Sequence, residues 1–143
     1  MFIDAYFGGF PRVRDFLAAT IEHARARGSV ETMFGRRRMI PELNSRNGQI
    51  RQQAERMTVN FPIQGTAADI LKRAMLRVHD VLAPVRPARM ILTVHDELLI
   101  ESPEASAPQV VELVREAMQG AAELAVPLTV DVGVGPNWRE AKS

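Results

Sequence analysis

The segment Val94-His95-Asp96-Glu97-Leu98 sets three titratable side chains between two apolar runs, residues 90–94 before them and Leu98-Leu99-Ile100 after. Carboxylates displayed at the end of apolar strands suit Mg²⁺, which takes one or two carboxylates and leaves its other positions to water and substrate phosphates. The tripeptide also sits badly with turn chemistry. A two-residue hairpin favours Asn-Gly or Asp-Gly because both central residues need positive φ, and Glu97 is poorly suited to that. A tip that departs from turn chemistry serves a site more often than a fold. A solvated tip whose charges merely face water is the other reading of the same residues.

A second group depends on helical spacing. Arg56, Asn60 and Gln64 are four apart and would share one helix face, with Arg51, Gln52 and Gln53 a turn earlier. Arg donates to phosphate, while Asn and Gln can both donate to and accept from base edges. Gly65-Thr66-Ala67-Ala68 comes next, and its missing bulk would let another backbone approach closely. A solvated polar stripe beside small packing residues would look alike, and Pro62 weakens the register between Asn60 and Gln64. A further pair, His79-Asp80, would suit a metal-dependent hydrolase if joined to His95-Asp96. It falls near a helix end, however, where polar pairs face solvent, and His23 reads as surface. No GxxxxGK[ST], GxGxxG, GxSxG or HExxH pattern occurs, so a phosphate-cradling loop and a serine-triad hydrolase are unsupported.

Composition bounds these options. The chain has 143 residues, 46% apolar, 24% charged and 6% aromatic, ordinary for one globular domain. It has no Cys, which removes thiol nucleophiles, thiolate metal sites and disulfides together. No apolar run approaches 18 residues and the first ten residues lack secretory-signal character, so a cytoplasmic protein without a membrane partner is expected. The net charge of +1 hides an asymmetry. Residues 1–60 hold 10 Arg against 6 acids, whereas residues 61–143 hold 8 basic against 11 acidic residues. Six of the Arg fall between positions 36 and 56, and only Lys72 and Lys142 are lysines. A genome favouring Arg codons would account for the global excess but not for the clustering; the planar Arg fork suits phosphate.

Sequence pattern also sets the framework around these residues. Pro11, Val13, Phe16, Leu17, Ile21 and Ala24 predict a helix closed by Gly28. Val30 to Ile40 starts β-capable, with a loop or strand end over Phe34–Arg38, and residues 41–48 are turn-rich. A long helical stretch runs from about Gln49 to Leu82, kinked or broken at Pro62, with Leu71, Met75, Val78 and Leu82 on one stripe. Two short strands flank His95-Asp96-Glu97. A helix with Val110, Leu113, Val114, Ala117, Ala121 and Leu124 inward starts after Ser102-Pro103-Glu104. Val126, Leu128, Val130, Val132 and Val134 alternate as a half-buried strand. The expected class is α+β, a small antiparallel sheet made of the hairpin plus the C-terminal strand, packed against helices.

Three ordered stretches resemble the C-terminal part of family A DNA polymerases, the bacterial DNA polymerase I type: Glu31-Thr-Met-Phe-Gly-Arg-Arg-Arg-Met-Ile-Pro41, Ala54-Glu-Arg-Met-Thr-Val-Asn-Phe-Pro-Ile-Gln-Gly-Thr-Ala-Ala-Asp69 and Leu92-Thr-Val-His-Asp-Glu-Leu-Leu-Ile100. Val126-Pro-Leu-Thr-Val-Asp-Val-Gly-Val-Gly-Pro-Asn-Trp138 is similar to the family's closing strand. The likeness runs from about Phe2 to Lys142. It implies template-directed nucleotidyl transfer to a primer 3′-hydroxyl, with primer-template DNA and dNTP as partners and two Mg²⁺ ions in the complete enzyme. His95-Asp96-Glu97 resembles palm motif C. The resemblance makes Asp96 a metal ligand and catalytic residue, Glu97 an accessory catalytic carboxylate and His95 a contact to the primer terminus. Arg56, Asn60 and Gln64 match positions that touch template and primer, largely through the minor groove. Arg36 to Arg38 would lie near the DNA without an assigned role.

The resemblance also implies gaps. The family's second metal-binding Asp has no counterpart: Asp4, Asp15, Asp69, Asp80 and Asp131 all lack its surrounding motif. The fingers helix that holds the incoming nucleotide, the thumb and the exonuclease region are not recognisable either. Residues 1–28 are expected to be a helix returning from the fingers region and 29–143 a palm segment, so the isolated chain should not polymerise. The alternative is a self-sufficient, non-catalytic DNA-binding module.

Overall fold

A computed structural model describes residues 2–142; Met1 and Ser143, the outer ends of the two expected ranges, lie outside the described residues. The chain divides into two compact units, Met1–Ala67 and Ala68–Ser143.

In the first unit, helix α1 (Phe2–Gly9) precedes helix α2 (Pro11–Arg27), which begins on its proline and ends at Gly28 as expected. Strands β1 (Ser29–Glu31) and β2 (Arg37–Met39) pair antiparallel, Val30 opposite Arg38. A short 3-10 turn over Pro41–Asn44 leads to helix α3 (Gly48–Asn60). Asn47 caps α3: its side-chain oxygen accepts from the Gln49 and Ile50 amides at 2.9 and 3.5 Å. The core of this unit is small, with Ala24, Val30, Ile40, Leu43 and Ala54 buried and Met57 and Phe61 packed on it. Along α2 only Ala24 of the predicted apolar face is buried; Leu17 and Ile21 are half-buried, and Val13 and Phe16 are exposed. With Ile3, Tyr6 and Phe10 on and after α1 they leave apolar surface uncovered.

Pro62 does not break the long helix. α3 continues through a π turn (Phe61–Gly65) into helix α4 (Thr66–Leu82). Proline lacks the N–H that an α turn needs and its ring crowds the preceding carbonyl; a wider turn relieves both.

In the second unit, Val78 and Leu82 of α4 bury against Ala88 and against Val110, Val114 and Ala117 of helix α5 (Ala107–Gln119). The second half of the predicted stripe on α4 therefore lies on the core, while Leu71 and Met75 are half-buried. α5 stops at Gln119, short of Leu124. Strands β3 (Arg89–Val94) and β4 (Glu97–Glu101) form a hairpin whose Met90, Leu98 and Ile100 pack on the same core. The pairing runs from Arg89 opposite Glu101 to Val94 opposite Glu97, with an irregularity between Met90 and Leu92.

The α+β class holds, built from helices and two small antiparallel hairpins. The C-terminal strand does not hold. Leu128, Val130 and Val132 are half-buried and alternate with exposed neighbours, but this stretch joins no sheet among the described residues. Alternation reports one face packed on protein, which an extended chain shows without a ladder, and Pro127 has no amide to donate. The stretch instead lies against the final helix α6 (Trp138–Ala141): a Cβ on Gly133 would come within 1.8 Å of the Ala141 carbonyl oxygen.

Replacing the cap, Asn47→Ala should cost about 1 kcal/mol in denaturant unfolding, and Asn47→Asp much less, because aspartate keeps an acceptor for the same amides.

Candidate functional site

The β3–β4 register leaves two residues, His95 and Asp96, to close the hairpin. His95 takes φ +54, and it is the only non-glycine residue with positive φ among the described residues. The left-handed conformation thus falls on His95 and spares Glu97, which begins β4 in extended backbone. Positive φ at the first central position alone is where such turns favour glycine. His is among the few side chains that enter this region at moderate cost, about 1–2 kcal/mol. The turn projects the Asp96 side chain into solvent, with no hydrogen-bond or ion-pair partner among the described residues.

Glu97 is held. Lys142 Nζ lies 2.8 Å from Glu97 Oε1 and 5.8 Å from the centre of the Trp138 ring, so the residues after the extended stretch reach back to the hairpin tip. The Lys142 hydrogen bond above all, and then its charge, the Trp138 side chain and His95, hold the Glu97 carboxyl below the usual carboxylate range against the opposing effect of desolvation. Neither Lys142 nor Trp138 stands out in the sequence as a partner of this turn. Their contact is set by tertiary folding, and the lone aromatic beside a basic residue near the end of the chain is the only hint.

In the first unit Arg56, Asn60 and Gln64 are all exposed, Arg56 and Asn60 one turn apart on α3 and Gln64 within the π turn. The opposite face carries Ala54 and Thr58, both buried. None of the three has a hydrogen-bond or ion-pair partner among the described residues, so their donors and acceptors are available to a ligand. Arg36, Arg37, Arg38 and Arg51 of the basic cluster are more engaged. Arg37 bonds Glu31 at 3.3 Å and Arg51 donates to the Ser45 carbonyl at 3.1 Å. Arg36 and Arg38 lie over the Phe61 ring, 5.3 and 6.0 Å from its centre.

No three His, Cys, Asp or Glu side chains come together as a cation site among the described residues. That removes the hydrolase reading, since His79 and Asp80 are exposed on α4 apart from any such cluster. Hard carboxylate oxygens on Asp96 fit Mg²⁺ as one corner of a site completed by other ligands, phosphate and water.

Residues 1–140 match the sequence profile of DNA polymerase family A, and the chain belongs to that family. It is 52% identical over 141 residues to the thermostable DNA polymerase I of Thermus caldophilus, covering 99% of this chain and 17% of that protein. It is 48% identical over 141 residues to the DNA polymerase I of Deinococcus radiodurans, covering 99% of this chain and 15% of that protein. Among solved structures it is similar to the POL domain of Pol1 from M. smegmatis, in complex with DNA primer-template and dNTP. There the TM-score is 0.94 at 45% identity, covering 99% of this chain and 25% of that one.

Two measurements test the turn. His95→Gly should leave the fold as stable or up to about 1 kcal/mol more stable by thermal unfolding, since glycine adopts positive φ without the side-chain cost. Lys142→Met should raise the Glu97 carboxyl toward the ordinary range in an NMR titration. Because the native carboxyl is held low, the contact contributes at pH above the ordinary carboxylate value and fades as pH falls through the lowered one.

Proposed function

We propose that this chain supplies part of the primer–template surface and one metal-binding carboxylate of a DNA-directed DNA polymerase acting in the cytoplasm. The observation that carries this reading is the 0.94 TM-score fit, at 45% identity, to a polymerase domain holding primer-template and dNTP.

In the proposed reaction the primer 3′-hydroxyl attacks the α-phosphate of a dNTP and pyrophosphate leaves. Two divalent ions supply charge neutralisation at the attacking and leaving oxygens when bound. Asp96 is the residue of this chain that would hold them. Glu97, tied back by Lys142, acts as an accessory carboxylate whose direction is fixed, and His95 approaches the primer terminus. Arg56 contacts phosphate. Asn60 and Gln64 donate amide N–H groups into the minor groove, where base pairs of every sequence present acceptors, so their contacts read duplex shape with little regard to sequence. A polymerase that must copy any template needs that kind of contact. One exposed carboxylate is half of a two-ion anchor, so the 143 residues alone are expected not to extend a primer. Residues 1–28 correspond in this reading to the return from the fingers and 29–143 to the palm.

In a polymerase carrying this chain, Asp96→Asn should slow Mg²⁺-dependent primer extension by about 10³-fold, several kcal/mol of transition-state stabilisation, with primer-template affinity changed little. Unchanged extension would refute the assignment. Arg56→Ala should weaken primer-template binding and lower the slope of log K against log salt by about one. Mg²⁺- and dNTP-dependent extension by the 143 residues alone would contradict the partial-site reading. Strong salt-dependent DNA binding with no effect of Asp96→Asn on extension would instead favour a non-catalytic DNA-binding module.

A further inference from the structure

The loop joining β1 to β2 braces the π turn through side-chain hydrogen bonds at its far end, while Phe61 at its start packs on the core of this unit. Thr66 Oγ1, at the end of the turn, accepts the Met33 amide at 3.0 Å. Arg36 Nη2 donates to the Gly65 carbonyl at 3.0 Å while its guanidinium lies over the Phe61 ring at the start of the turn. The loop is itself tied: Thr32 Oγ1 accepts the Arg36 amide at 3.2 Å, and Thr32 N–H donates to the Arg36 carbonyl at 3.0 Å. Thr32, Gly65 and Thr66 are all buried. Gly65 has no room for a side chain, since a Cβ there would lie 2.7 Å from Thr32 Cγ2 and 3.3 Å from Arg36 Nη2. Loop and helix therefore interlock at Gly65, and Arg36 spans the turn from its first residue to its last.

A π turn adds a residue to one turn of helix, and its hydrogen bonding is inferior to that of the α form, so it persists where surroundings hold it. Relaxation to α geometry would rotate Thr66 and Ala67 by roughly 100° about the axis of α3, one residue's worth at 3.6 per turn. Gln64 lies inside this turn and Asn60 just before it. The direction of Gln64 relative to Asn60 and Arg56 is thus a property of the brace.

We propose that Arg36 is a positioning residue: it holds the Phe61–Gly65 turn in π form and so fixes the direction of Gln64 relative to Arg56 and Asn60, acting on bound duplex through Gln64. This rests on the primer–template reading above. It also gives a local reason for an arginine at 36, since one side chain must both donate to a carbonyl and cover a ring face.

The test uses the protein that carries this chain, with primer-template affinity measured for Arg36→Ala, Gln64→Ala, the double variant and Arg36→Lys. If Arg36 acts through Gln64, each single change weakens binding by about fivefold and the double by about the same, where independent contacts would give about 25-fold. Arg36→Lys, which keeps a donor and a cation over Phe61, recovers part of the loss. Amide hydrogen exchange in the free protein supplies a readout without DNA: Arg36→Ala should speed exchange across residues 61–67, and Arg37→Ala should not. Multiplicative losses in the double variant, or unchanged exchange across 61–67, overturn the proposal. If Gln64→Ala and Arg56→Ala both leave affinity unchanged, the primer–template reading itself fails, and with it the functional role of Arg36; the exchange data then still report whether Arg36 braces the turn.

Discussion

The β3–β4 hairpin closes on two residues, and the second unit depends on that constraint. Met90, Leu98 and Ile100 pack against α4 and α5 only if the strands keep their register, because a slip by one residue would turn each strand's inward side chains outward. Register in turn requires a tight closure, and tight closure requires a residue in the left-handed region. His95 accepts that conformation, so Asp96 stands exposed at the tip with no hydrogen-bond or ion-pair partner among the described residues. The apolar packing that stabilises the sheet and the exposure of the acid are two ends of one backbone geometry.

The first unit solves a different problem with a similar economy. A helix that starts at Gly48 must pass Pro62 and still present polar side chains on one surface while Ala54 and Thr58 stay buried on the other. The wide turn lets the chain pass the proline, and the β1–β2 loop fills the groove that Gly65 leaves. Of the small residues after Gln64, Gly65 makes room for the Thr32 and Arg36 side chains of that loop, whereas Ala67 and Ala68 are exposed.

Local signals were legible and long-range ones were not. Pro11 and Gly28 bounded α2, and Val78 and Leu82 of the predicted stripe lie in the core face of α4, because helix ends and helical periodicity are written in neighbouring residues. The strands around His95 and the exposed polar face at Arg56 and Asn60 were readable for the same reason. α1 was not: Ile3, Tyr6 and Phe10 have helical spacing, but Gly8 and Gly9 mask it. Residues 126–134 alternate like a strand, yet whether an extended chain finds a ladder depends on what lies beside it, which no local pattern states. Lys142 against Glu97 and Arg36 against Gly65 join residues far apart in the chain. Arg36 in particular reads in sequence as part of a charge cluster, whereas its geometry is that of an internal brace.

The backbone at position 95 restricts what evolution can place there independently of any chemistry. Valine, isoleucine or threonine would meet a steric barrier at that φ, leaving glycine, asparagine, aspartate and histidine as the residues open to drift. Invariance of this histidine across relatives would therefore be ambiguous by itself, because a hinge-like corner and a reactive imidazole both narrow the alphabet. Exchanging His95 for asparagine separates the two pressures, since the amide keeps the corner and discards the ring.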